Sequence, residues 1–140
     1  MLGNWLSIAM LLGSSTCCLA IAPPSLVAVF EDSAAGQIRS ANETIKRAIK
    51  AAGVAAQATQ LIQDNIQLTR RLTIRFGASD GPLFDPNLGE IQIPYEFLQE
   101  VQTRFKKIDY GKSGVNEQQA TMDVLLHTLF HEIAHALIFM

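Results

Sequence analysis

Cysteine is nearly missing from this 140-residue chain: Cys17 and Cys18 are the only two, and both lie close to the amino terminus. Two neighbouring thiols cannot build a disulfide scaffold, and a chain processed after them would have no cysteine nucleophile and no thiolate metal site. Five prolines and nine glycines are too few for a collagenous or low-complexity chain, and a hydrophobic fraction of 49% is too high for a disordered one. Positive charge is also scarce. Eleven Lys and Arg against thirteen Asp and Glu leave a net charge of -2, and no basic run exceeds two residues. That removes the electrostatic footprint nucleic-acid binding needs, so no nucleic-acid partner is expected. Charge of either sign is absent before Glu31, which divides the chain into an uncharged leader and a remainder of ordinary composition, long enough for one domain at most.

Within the leader, Trp5-Leu6-Ser7-Ile8-Ala9-Met10-Leu11-Leu12 has the length of a signal-peptide core, and small residues follow it up to Ala20 and Ala22. Residues 1–22 therefore read as a signal peptide, and the protein as exported, periplasmic or extracellular. No Lys or Arg precedes the apolar run, and a membrane anchor through this segment is the alternative. Pro23-Pro24 interrupts the segment before the roughly 20 apolar residues of a spanning helix unless that helix begins at Met1.

Residues 33–69 form an amphipathic helical region. Ile38, Ala41, Ile45, Ala48, Ile49, Ala52, Ala55, Ala58, Ile62 and Ile66 recur at steps of three and four, with Arg39, Lys46, Lys50 and Asp64 between them. The spacing predicts one long helix, or two broken at Gly53, packed on the domain behind it. Leu72–Phe76 and Glu90–Ile93 alternate apolar and polar residues and read as two neighbouring strands around a turn-rich stretch, Gly77 to Gly89. Pro94 donates no ladder hydrogen bond, so the second strand ends there or lies at a sheet edge. Tyr95 to Ile108 has helical spacing. A last helix, capped by Ser113 or Asn116, runs to Met140. Asn42-Glu43-Thr44 fits an N-glycosylation sequon, a triplet common by chance.

All three histidines of the chain, His127, His131 and His135, lie in that last helix at steps of four, with Glu132 directly after the second. Four residues turn an α-helix by roughly 400° and raise it about 6 Å, so the imidazoles of His131 and His135 share one face. Two such nitrogens can hold one zinc ion at about 2.0 to 2.1 Å. Glu132, about 100° round the helix, can reach water beside that ion and act as general base. Zinc brings the pKa of bound water towards about 7, and neutral imidazoles leave the ion's charge intact for polarising a peptide carbonyl. The pattern His-Glu-x-x-His supplies what metal-assisted hydrolysis requires. Its setting among Leu125, Leu126, Leu129, Phe130, Ile133, Leu137 and Ile138 is one in which an unpaired charge would be costly. His127 drifts about 40° from His131 and reads as a non-ligand.

Phe84-Asp85-Pro86, Glu90-Ile91-Gln92-Ile93 leading into Tyr95-Glu96, and His131-Glu132-Ile133-Ala134-His135-Ala136-Leu137-Ile138 together resemble a bacterial family of zinc metallopeptidases of gluzincin type. The likeness spans about Leu68 to Met140. It implies an α+β fold in which residues 70–140 are the N-terminal part of a zincin-like domain, with a small sheet of two or more strands beside the helix that carries the motif. It also implies Zn2+ held by His131 and His135, Glu132 as catalytic base, and a peptide or protein substrate. Ala134 stands where glycine is common in the family. An acidic residue on a later helix completes the zinc sphere in such families, and three protein ligands are expected at a catalytic zinc. The chain stops at Met140, so it reads as truncated after the active-site helix, and no third ligand is identified. Two other readings stay open: an intramembrane metalloprotease, from the apolar stretch Met122 to Met140, and a catalytically inactive truncated relative that acts as a binding or structural protein.

Overall fold

A computed structural model of the chain describes residues 26–32 and 37–140. The signal-peptide reading of residues 1–22, with Cys17 and Cys18, lies outside them. The described elements run β1 (Leu26–Phe30), α1 (Gln37–Ala52), α2 (Val54–Asn65), β2 (Leu72–Phe76), β3 (Leu83–Asp85), β4 (Glu90–Ile93), α3 (Tyr95–Lys107), a 3-10 turn (Tyr110–Ser113) and α4 (Glu117–Phe139). Among the described residues the architecture is α+β: four α-helices and one four-stranded mixed sheet of order β1-β2-β4-β3.

The stretch from residue 37 to 65 is two helices, parted at Gly53. Its φ of +67° is a left-handed conformation that glycine adopts without a Cβ penalty. From there the chain turns so that Ile45 and Ile49 of α1 and Ala58 and Ile62 of α2 reach one core. The helical region ends at Asn65 rather than Thr69, because Ile66 is already extended.

β2 runs parallel to both its neighbours, β1 and β4, while β3 pairs antiparallel with β4. Leu72, Ile74 and Phe76 of β2, with Ile91 and Ile93 of β4, enter the same core as the buried side chains of all four helices. By the two-residue alternation of a strand, Thr73, Arg75, Glu90 and Gln92 take the opposite face. There Arg75 bridges three strands: its Nε donates to Glu90 at 2.9 Å, and its other nitrogens pair with Glu90 and with Glu31 just past β1. The Glu90 carboxyl is held below the usual carboxylate range, first by the Arg75 hydrogen bonds and against the opposing effect of burial.

Two strands were not legible in the sequence. β1 is a continuous apolar run, Leu-Val-Ala-Val-Phe, without the alternation that marks a half-exposed strand. β3 has three residues, too few for any period to show. Its end is set by Asp85, whose Oδ1 accepts from the backbone N–H of Asn87 at 2.8 Å and of Leu88 at 3.2 Å, reversing the chain into β4. β4 ends at Ile93, directly before Pro94, the first of the two alternatives read for that proline; the strand is interior, and β3 is the edge on that side.

Pro94 precedes the first turn of α3, which carries Glu96 in that turn and Arg104, Lys106 and Lys107 in its last, charges matched to the helix dipole. Asn42 of α1 is 5% exposed and ties α1 to α3, donating to Glu96 at 2.9 Å and accepting from Gln99. The sequon asparagine is thus committed to internal packing. α4 is capped by Asn116, whose side chain accepts from the Gln119 N–H at 2.8 Å. Among the described residues it is the one helix long and apolar enough to cross a membrane, yet Leu125, Leu129 and Ile133 are buried in the core, as in a central packed helix.

Candidate metal centre

α4 packs one face against α2, α3 and the β3–β4 edge of the sheet and leaves the other open. Leu125, Leu129, Ile133 and Ala136 anchor the buried face, while Asp123, His127, His131 and His135 follow one another along the exposed one. Burial of the apolar residues therefore fixes which way the histidines project. The Nε2 atoms of His131 and His135 lie 3.0 Å apart, with the rings nearly perpendicular at 81°. Two nitrogens on one tetrahedral zinc, each at about 2.05 Å, would be about 3.3 Å apart. An opening of a few tenths of an ångström would fit the pair to that ion, and imidazole is a donor suited to it.

Glu132 departs from the exposed stripe. It is 8% exposed and lines an open groove of about 500 Å³ together with His135, Phe84, Pro86, Ile138 and Phe139. Phe84 of β3 meets Phe139 of α4 edge to face at 6.0 Å, joining the sheet edge to the end of the helix. The structure thus brings Glu132 and His135 into one groove and sets His131 against His135. It leaves His127 exposed and outside the His131–His135 pair. Among the described residues no group of three or more His, Cys, Asp and Glu side chains is gathered as a metal sphere.

The groove-lining roles of Phe84, Pro86, Ile138 and Phe139 were not read from the sequence. Phe84 and Pro86 stood in the turn-rich stretch and entered only as part of the family resemblance, and Ile138 and Phe139 continue the apolar run of α4, where nothing separates a groove wall from core. A larger cavity, of about 650 Å³, lies at the carboxyl ends of β1, β2 and β4, bordered by Glu31, Asp32, Asp80, Glu96 and Glu100. It contains no histidine, so donor chemistry rather than cavity size marks the candidate centre.

The described domain is α+β, and its helix α4 carries His131, Glu132 and His135 beside the β3 edge of the sheet. A family model described as "Putative metallopeptidase" matches residues 36–140, three quarters of the chain, and the chain belongs to that family. No curated protein and no solved structure matches it. Membership supports a peptidase-like function, with a metal cofactor and peptide or protein substrates.

Proposed function

We propose that the protein is a zinc-dependent peptidase of gluzincin type, in which His131 and His135 hold the metal and Glu132 is the general base. The observation that carries this is the convergence of the two Nε2 atoms at 3.0 Å on the helix face beside the groove that Glu132 lines. Zinc bound there would act as a Lewis acid on water and on the scissile carbonyl. Glu132 takes a proton from the attacking water and delivers it to the departing amine, which the groove lets it reach from a nearly buried position. Phe84 and Phe139 line the same open groove as the carboxylate. The substrate backbone pairs with β3, the antiparallel edge strand next to α4, and not with β4, whose two edges are occupied. In this reading the described elements are a zincin-like arrangement of sheet and active-site helix, and the protein acts outside the cytoplasm, on the strength of its uncharged leader.

Zinc binding tests the ligand assignment. The native protein should contain about one zinc per chain, and His131→Ala and His135→Ala should each lose it while keeping their helical circular dichroism, since both side chains are exposed. Undiminished zinc in either variant would reject the site.

A further inference from the structure

The two edges of the sheet are unlike. β3, beside α4, is three residues long and ends at Asp85, whereas β1 is five residues of unbroken apolar sequence in register with β2 throughout. Open edges are ordinarily protected by a charged residue, a proline or a bulge, and β1 contains none of these. The Glu31 N–H donates to the Phe76 carbonyl at 2.9 Å, so by alternation the peptide groups of Leu26, Ala28 and Phe30 point away from β2. Gln63 of α2 donates to the Leu26 carbonyl at 3.0 Å, and no strand meets Ala28 or Phe30 among the described residues. Alongside lies an open groove of about 510 Å³ between β1 and the helices α1 and α2, with Ala28, Phe30, Ala56 and Gln60 in its walls. Lys50 is the one charged residue lining it, with its ammonium 4.8 Å from the centroid of the Phe30 ring.

We propose that β1 and this groove take up an extended peptide segment of another protein, apolar at alternate positions and carrying an acidic side chain for Lys50. This site is separate from the peptidase reading and does not depend on it, because β1 and β3 are opposite edges of the sheet. A peptide laid along β1 gives the Ala28 and Phe30 peptide groups their partners, and its inward side chains displace water from the groove. An acyl chain would fill the same apolar space but bury those N–H and C=O groups unpaired, which is costly. A basic segment would bring like charge to Lys50. A second copy of β1 would supply the hydrogen bonds but no acidic group, since Leu26–Phe30 is uncharged.

Fluorescence anisotropy of labelled hexapeptides tests this on the full chain carrying Glu132→Gln, so that cleavage does not consume the probe. One probe alternates valine and threonine and includes a glutamate, a second has lysine in place of that glutamate, and two more are the glutamate peptide N-methylated at alternate amides in either phase. The glutamate peptide should bind about fivefold or more tightly than the lysine peptide. Methylation in the phase that faces β1 should weaken it at least about tenfold. Lys50→Glu, at an exposed position, should invert the charge preference. Ala28→Pro removes an N–H that β2 does not use, and it should weaken every probe while helical circular dichroism stays unchanged. Indifference to methylation in both phases, a charge preference that survives Lys50→Glu, or failure of every probe to bind would each overturn the proposal. Dodecanoate binding that displaces the peptide and survives Ala28→Pro would assign the groove to an acyl chain, and a dimer that Ala28→Pro disperses would assign the edge to a second copy. Either result would overturn it as well.

Discussion

Two isoleucines five residues apart on α4 give the sharpest test of how the helix is seated. Ile133 is 1% exposed and sits among the core residues, whereas Ile138 is 85% exposed on the groove side. Ile133→Ala deletes three buried carbons, about 2.4 kcal/mol of transfer free energy at about 0.8 kcal/mol each. A residual cavity of roughly 50 Å³ would add about 1 kcal/mol at about 24 cal/mol per Å³. The expected loss is therefore about 3 to 4 kcal/mol, a large part of the roughly 5 to 15 kcal/mol available to a domain. Ile138→Ala should stay within about 0.5 kcal/mol of the parent, since its side chain gains little from folding. Urea unfolding followed by far-ultraviolet circular dichroism measures both differences. Similar losses in the two variants would refute the orientation of α4, and with it the projection of His131 and His135.

Further predictions concern the sheet and its surroundings. The Thr59 hydroxyl oxygen is buried with no hydrogen-bond partner among the described residues, so Thr59→Val should leave stability unchanged or raise it by about 1 kcal/mol in the same urea assay. A Cβ at Gly77, whose φ is +88°, would stand 2.6 Å from the Tyr95 ring, so Gly77→Ala should cost roughly 1 to 3 kcal/mol or more, read as a lower unfolding midpoint. The folded Glu90 pKa is depressed by Arg75, so the stability this pair contributes is present above the ordinary carboxylate pKa and is lost as pH falls through the folded value. Arg75→Met should accordingly show a smaller fall in stability below about pH 4.5 than the parent.

What the sequence disclosed follows from what each element exposes. The helices and the strands β2 and β4 have one buried and one solvated side, so their periods of 3.6 and 2 were visible in the positions of Ile45, Ile49, Ile62, Ile74 and Ile91. The Gly53 break and the Asn116 cap were legible because each rests on the chemistry of one residue. β1 was hidden because its apolar run gives no alternation, and β3 because three residues carry no period. The interior position of β4 is a property of pairing, which no local pattern encodes. At the candidate centre, the spacing of His131, Glu132 and His135 was enough to propose the donor pair and the base. The groove was not, because Phe84 and Phe139 are 55 positions apart in sequence and meet only through the packing of β3 on α4.

The central claim is that Glu132 serves catalysis while His131 and His135 serve the metal, and one paired measurement tests it. Zinc per chain and peptide hydrolysis are measured on the native protein and on Glu132→Gln. The account predicts unchanged zinc in the variant and a rate lower by about 10² to 10⁴ or more, the contribution of a positioned general base. Full hydrolysis by Glu132→Gln, or hydrolysis by a native protein without zinc, would contradict it.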